Sequence, residues 1–99
     1  MNKKEIFLKI RSPEVRSLIQ EYGIKHMYLF GSYAKNRHES GSDIDFLYEL
    51  QSSKIWYRDF LSLKTSLERY LQKKVDLIDT RYINKHYAPN ILANKEQVF

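Results

Sequence analysis

The sequence has 99 residues, of which 42% are hydrophobic, and a formal net charge of +5. These values indicate one folded domain over residues 1–99 and exclude a disordered chain. The absence of cysteine excludes a disulfide framework and a thiolate metal site. No apolar run approaches the roughly 20 residues that span a bilayer, and residues 1–10 show no cleavable signal, so we expect a cytoplasmic protein without a membrane partner. The basic excess favours an anionic partner, such as a nucleotide, a nucleic acid or an acidic protein surface.

The first half of the chain predicts a helix, a strand and a second, shorter helix. Ser12 is a suitable N-cap, Pro13 suits the first helical position, and Gly23 is placed to end the helix. The apolar run Met27–Phe30 predicts a buried strand, and Tyr33–Arg37 predicts a short helix before a turn-rich loop.

The second half alternates strands and helices. Asp43–Leu50 predicts a strand, and a helix follows it whose apolar stripe comprises Trp56, Phe60, Leu63, Leu67 and Tyr70. Val75–Ile78 predicts a third strand, Arg81–Asn94 contains a last helix complicated by Pro89, and Gln97–Phe99 predicts an edge strand. This order indicates an α/β or α+β fold, in which helices flank a small mixed sheet.

Two aspartates share one face of the predicted second strand. Asp43 and Asp45 are two residues apart, so their α-carbons lie roughly 6.6 Å apart and their side chains point the same way. Two neighbouring carboxylates repel each other, and a divalent cation such as Mg²⁺ relieves that repulsion while binding substrate phosphates. Taken alone, however, the pair is better explained by an amphipathic strand with a solvated acidic face.

A Gly-Ser pair ends the predicted first strand. Gly31 would let the backbone approach a phosphate, whose oxygens the following N–H groups and the Ser32 hydroxyl can bind. Taken alone, this pair is better explained by an ordinary strand-to-helix turn with Ser32 as the N-cap.

Together the two pairs form one pattern, in which ten residues separate Gly31-Ser32 from Asp43-Ile44-Asp45. With this spacing the sequence resembles the minimal nucleotidyltransferases of the DNA polymerase β-like superfamily. The resemblance extends through Lys74–Ile78, which is similar to the strand that carries the family's third carboxylate, and reaches Val98-Phe99.

The resemblance implies a polymerase β-like fold and a role for each residue of the motif. Asp43, Asp45 and Asp76 would be the catalytic carboxylates and the ligands of Mg²⁺, with two ions expected. Gly31 and Ser32 would bind the triphosphate of ATP.

The chain departs from the family pattern after Ala34. The family often has Arg-Gly there, whereas this sequence has Lys35-Asn36, and lysine keeps the positive charge but not the planar fork of arginine. We retain Lys35 as a candidate nucleotide-binding residue, and Arg37 competes with it for contact with phosphate.

Asp79 competes with Asp76 for the role of third carboxylate. Residues three apart on a strand face opposite sides, so only one of the two can face the site. Asp76 has the mid-strand position, whereas Asp79 is better explained as a helix cap before Thr80-Arg81.

For proteins of this size the resemblance implies pairing with a HEPN-domain toxin in a hetero-oligomer. The chain would then be an antitoxin that transfers AMP from ATP to a tyrosine of the toxin. Two alternatives stay open: the chain acts mainly by binding and masking its partner, or it modifies a nucleic acid or a small molecule. Nucleic acid is the less favoured partner, because no recognised nucleic-acid motif is present.

Overall fold

The computed structural model describes residues 1–52, 57–83 and 88–99, which form four strands, five α-helices and one short 3₁₀ helix. In chain order these are α1 (Lys3–Ile10), α2 (Pro13–Glu21), β1 (Ile24–Phe30), α3 (Gly31–Ala34), β2 (Ile44–Leu50), α4 (Tyr57–Leu71), β3 (Val75–Asp79), the 3₁₀ helix (Thr80–Tyr82), α5 (Ala88–Asn94) and β4 (Glu96–Gln97). None of the helices in these ranges has the length and apolar character needed to cross a bilayer.

The strands form one mixed sheet in the order β3-β2-β1-β4. β1 is antiparallel to both β2 and β4, whereas β2 and β3 are parallel. A parallel pair needs a crossover connection, and α4 lies in that connection. The α/β class with a mixed sheet, expected from the sequence, is therefore confirmed.

Strand periodicity divides β2 between two different environments. Ile44, Phe46 and Tyr48 belong to the hydrophobic core, on the sheet face that packs against α1, α2 and α4. Asp45 and Leu47 alternate with them and therefore point to the opposite face. The core thus fixes which side chains of β2 can face a ligand.

The carboxylate of Glu68 connects α4 to the start of β3. It accepts a hydrogen bond of 3.0 Å from the Val75 backbone N–H and one of 3.2 Å from Lys64 Nζ. The hydrogen bond from Val75 is the main reason why the pKa of Glu68 lies below its usual value. The contact with Lys64 lowers that pKa further, whereas burial raises it. This residue therefore ties the crossover helix to the first residue of β3.

Helix α1 was not predicted, because half of residues 1–10 are polar or charged. Its two buried residues, Ile6 and Ile10, are one helical turn apart, and Asn2 caps the helix by accepting a bond from the Glu5 N–H at 2.9 Å. The signal was present in the sequence, but it rested on only two core residues.

The prediction for Ser12 was right in position and wrong in chemistry. Ser12 is the N-cap of α2, but its side chain makes no capping bond to that helix. Its Oγ instead donates to the carbonyl of Lys9 at 2.7 Å, at the end of α1. Gly23 follows the end of α2 with a positive φ of 75°, as expected for a residue that terminates a helix.

The predicted stripe on α4 was wrong at Tyr70, which is 44% exposed. Leu63 and Leu67 are fully buried, and Leu71 continues the buried line because it lies one turn beyond Leu67. Trp56 lies outside the described residues.

Other predicted boundaries differ by a few residues. The second strand begins at Ile44, so Asp43 immediately precedes it, and the short helix covers Gly31–Ala34 rather than Tyr33–Arg37. The last strand is Glu96–Gln97 rather than Gln97–Phe99. Pro89 is the second residue of α5, where a missing N–H disturbs no intrahelical bond.

Candidate active site

Strand register brings Asp45 and Asp76 side by side. The two residues are directly paired in the parallel ladder between β2 and β3. Both therefore project from the sheet face opposite the core, and Asp45 is half-buried whereas Asp76 is exposed. The prediction placed Asp76 in mid-strand, whereas it is the second of the five residues of β3, on the face that it shares with Asp45.

Burial and two neighbouring carboxylates shift the pKa of Asp45. The pKa of Asp45 is raised to about 6. Burial is the largest cause, followed by the charge of Asp76, a hydrogen bond with Asp76 and lastly the charge of Asp43. In the described residues none of the three carboxylates has an ion-pair partner within 4 Å. The site therefore gathers negative charge that the neighbouring described side chains do not neutralise.

The two halves of the sequence motif touch at Gly31. Phe30, the residue before it, pairs with Asp45 in the antiparallel ladder. Gly31 has a φ of 74°, and a Cβ on it would overlap Oδ2 of Asp45 and lie 3.1 Å from Cγ. Glycine is therefore needed both for the backbone conformation and for the close approach of the carboxylate.

Ser32 is not the N-cap of the helix that follows. Helix α3 begins at Gly31 and its N-cap is Phe30, so Ser32 is the second helical residue. Its carbonyl accepts a 2.8 Å bond from the Arg37 N–H, and the residue is partly exposed. The capping alternative for Ser32 is thus wrong, and its hydroxyl lies one residue from the Gly31–Asp45 contact.

Lys35 and Arg37 follow α3 and are both exposed. Together with Asn94 of α5 they line an open cavity of about 380 Å³. Both cations stay candidates for contact with a phosphate, and their shared cavity does not choose between them.

Asp79, the competing candidate for third carboxylate, instead binds Arg81. It is buried, forms a 2.7 Å ion pair with Arg81, and caps the 3₁₀ helix through a 2.9 Å bond from the Arg81 N–H. Burial alone would raise the pKa of Asp79, but the hydrogen bonds and charge of Arg81 outweigh it and lower that pKa. The predicted capping role of Asp79 is confirmed.

The donor chemistry of the site fits Mg²⁺, which prefers carboxylate oxygens. As placed, however, no group of three or more His, Cys, Asp or Glu side chains in the described part of the chain is close enough together to hold a metal ion. A three-carboxylate metal site would therefore require a side-chain rotation around the Asp45–Asp76 pair.

The loop before Asp43 is held by contacts that the sequence does not indicate. The rings of His38 and Tyr33 are stacked, with centroids 4.1 Å apart and planes 10° apart. Lys73 Nζ donates to the Ser40 carbonyl. No periodicity relates these residues in the sequence, so only the folded chain reveals that they support the site.

Comparison with protein families gives a match over residues 14–99 to the family described as polymerase beta, nucleotidyltransferase. One curated relative, named as a candidate protein adenylyltransferase of Methanocaldococcus jannaschii, is 36% identical over 75 residues, which cover 76% of this chain and 80% of the relative. A second protein of that organism with the same kind of name is 35% identical and covers 86% of this chain and 82% of the relative.

Solved structures give the same fold. A minimal nucleotidyltransferase structure matches with a TM-score of 0.77 and 26% identity, over 97% of this chain and 95% of that one. A toxin–antitoxin structure with AMP-PNP matches at 0.74 and 23% identity, over 94% and 72% of the two chains. A complex of a tri-AMPylated Shewanella oneidensis HEPN toxin with an MNT antitoxin matches at 0.68 and 21% identity, over 98% and 71%. The match over residues 14–99, the curated relatives and the shared fold agree, and the chain belongs to the polymerase β nucleotidyltransferase family.

Proposed function

We propose that this protein is an antitoxin that transfers AMP from ATP to a tyrosine of a HEPN-domain protein in a Mg²⁺-dependent reaction. The observation that carries the proposal is the pairing of Asp45 with Asp76 beside the glycine turn at Gly31. A carboxylate pair without a neutralising side chain is suited to bind a cation, and the open turn next to it is suited to receive phosphate.

The proposed reaction assigns one task to each part of the site. Asp43 and Asp45 would hold Mg²⁺, with Asp76 completing the set, and bound Mg²⁺ supplies charge stabilisation at the reacting phosphate. Ser32 and the first-turn N–H groups of α3 would bind the triphosphate, with Lys35 or Arg37 at its far end.

The chemical step is a substitution at phosphorus. The acceptor hydroxyl oxygen forms a bond to the α-phosphorus of ATP, the bond from that phosphorus to the bridging oxygen breaks, and pyrophosphate leaves. Asp76 would accept the hydroxyl proton, because it is the exposed member of the pair and can be reached from solvent.

Similarity to complexes supports the choice of acceptor. The curated relatives are named for transfer of an adenylyl group to protein, and one structural neighbour is an MNT antitoxin bound to a tri-AMPylated HEPN toxin. A HEPN-domain protein encoded beside this chain is therefore the acceptor to test first.

The test is the intact mass of that partner after incubation with this chain, ATP and Mg²⁺. We expect whole adenylyl units to be added, and fragmentation should locate them on tyrosine. The matched control is the double variant Asp43→Asn, Asp45→Asn, which should still co-purify with the partner but leave its mass unchanged. Removing two negative charges can shift the affinity, so the control is judged by the presence of the complex.

Other outcomes separate the alternatives. An unmodified partner that is nevertheless inhibited by the wild-type chain would favour masking over transfer. Transfer to RNA or to a small molecule, with no stable protein complex, would overturn the partner while leaving the nucleotidyltransferase reaction in place.

A further inference from the structure

A basic cavity lies at the end of the sheet remote from the carboxylates. It has a volume of about 520 Å³ and is lined by Arg11, Arg16, Lys25, His26, Gln97, Val98 and Phe99. Lys25 lies near the start of β1, whereas Phe30 at the other end pairs with Asp45. Five residue steps along a strand place the two sites roughly 16 Å apart.

The cations of this cavity are poorly compensated. Among the described residues, no carboxylate lies within 4 Å of the guanidinium of Arg11 or Arg16. Lys25 has one long contact, 3.9 Å to Glu49, and both of those side chains are largely exposed. Arg81, by contrast, has its own carboxylate at 2.7 Å. No acidic side chain is among the described lining residues, so the three cationic side chains outnumber the one α-carboxylate, that of Phe99, and the excess positive charge is available to an external anion.

Aromatic rings orient both guanidinium groups. Arg11 lies over the ring of Phe7, 5.3 Å from its centroid, and Arg16 lies over Phe99 at 5.8 Å. These contacts restrict the guanidinium positions while leaving N–H donors for a bidentate contact to an oxyanion. Preorganised guanidinium groups of this kind suit phosphate better than a lysine ammonium does.

His26 lines the same cavity and can add a ring N–H donor to it. The amide nitrogen of Gln97 lies 3.1 Å from His26 Nδ1 and also donates to the Phe99 carbonyl at 3.2 Å, which fixes the amide orientation. An amide nitrogen can only donate, so Nδ1 accepts in this contact, which leaves Nε2 as the N–H donor of the ring. That N–H is a further group able to bind a phosphate oxygen.

We propose that this cavity is a second anion site, which binds the phosphate groups of a single-stranded nucleic acid or of a smaller phosphate ligand. The inference is independent of the transfer reaction, because it uses none of the residues assigned to that site. The three cations come from the C-cap of α1, from α2 and from β1, and they line an open cavity, which suits successive phosphates of a strand.

The test is the binding of a short fluorescent single-stranded RNA to the full chain in EDTA, followed by anisotropy at several salt concentrations. The double variant Arg11→Gln, Arg16→Gln should bind about tenfold more weakly, and its salt slope should fall by about 1.4. The control Arg58→Gln, Arg69→Gln removes the same charge from exposed positions on α4 and should change affinity less than about twofold. Lys25→Gln is a milder variant that should lower the slope by about 0.7.

Competition identifies the source of the phosphate. Displacement by unlabelled RNA but not by inorganic phosphate at equal phosphate concentration supports a nucleic-acid strand, whereas displacement by both supports a small phosphate ligand. Equal displacement by polyglutamate, equal weakening in the α4 control, or no RNA binding at low salt would overturn the proposal.

Discussion

The parallel pair β2 and β3 carries carboxylates near both of its ends, and the two ends are built differently. Near one end, Asp45 and Asp76 face each other with no neutralising side chain within 4 Å in the described chain. At the other end Asp79, paired with Tyr48, is neutralised by Arg81 two residues later. The pKa is accordingly raised at Asp45 and lowered at Asp79.

The difference separates a structural carboxylate from a candidate catalytic one. Asp79 obtains a hydrogen bond and a counterion from its own turn, so its charge is satisfied by folding alone. Asp45 is left with a repulsive neighbour, which is unfavourable for the folded chain unless a ligand supplies positive charge. Four experiments test this contrast.

The largest expected effect is on transfer. Asp43→Asn together with Asp45→Asn removes two candidate metal ligands with little change in side-chain volume. Loss of a residue that only orients a metal ligand lowers activity by up to about a hundredfold, so loss of the ligands themselves should lower the rate of adenylyl transfer by more than that. Asp59→Asn, on α4, is the control and should leave the rate unchanged. Transfer by the double variant at near the wild-type rate would remove the catalytic role of this end of the sheet.

A second effect concerns the glycine that makes room for Asp45. An alanine with positive φ is expected to lower the free energy of unfolding by about 1–2 kcal/mol. Gly31→Ala should lower it by more than that, because the added Cβ also collides with the Asp45 carboxylate. Gly23→Ala is a matched control: its φ is 75° and no atom lies within 4 Å of the added Cβ. Denaturant titration of both variants should show the larger loss at Gly31, and only that variant should lose transfer activity.

Substitutions at the two ends should change stability in opposite directions. In EDTA at pH 7, Asp45→Asn should raise the free energy of unfolding by on the order of 1 kcal/mol, a value reduced for the solvent screening of a half-exposed group. Asp79→Ala removes a cap and should lower it by about 1 kcal/mol. Urea titration measures both, and a loss of stability in Asp45→Asn would contradict the contrast.

The smallest effect is a pH dependence. The folded-state pKa of Asp45 is about 6, above its ordinary 3.8, so between these values the unfolded chain releases a proton that the folded chain keeps. The contribution of Asp45 to stability therefore declines as pH rises from about 4 to about 6, and Asp45→Asn should remove that decline. Asp79 has a lowered pKa, so its contribution is present above its ordinary pKa and is lost on acidification below it. Denaturation curves in metal-free buffer should resolve these two separate pH windows.

Much of the site could be predicted because strand parity and turn chemistry are local. The two-residue period places Asp45 on the face opposite Phe46, and the three-residue separation of Asp76 from Asp79 assigns one to the site and the other to a cap. Gly23 at the end of α2 follows from the same kind of local reasoning.

The features that could not be predicted depend on contacts between distant parts of the chain. Tyr70 follows the helical period but is exposed, because the packing of α4 favours Leu71 in the core. The Lys73 bond to the Ser40 carbonyl links separate elements and leaves no periodic signal. Ser12 had two possible helix ends to bond, and only the fold shows that it bonds to α1.

The bond between Glu68 and the Val75 N–H has a practical consequence for protein engineering. Val75 is the first residue of β3 and Asp76 is the second, so the crossover helix fixes where the third carboxylate stands. Transplanting only the two strands onto another scaffold would omit this anchor, and the ladder between β2 and β3 would then hold Asp76 beside Asp45 without the support of α4. The smallest portable unit of the site therefore includes α4, although the buried leucines of that helix, Leu63, Leu67 and Leu71, pack in the core on the other face of the sheet.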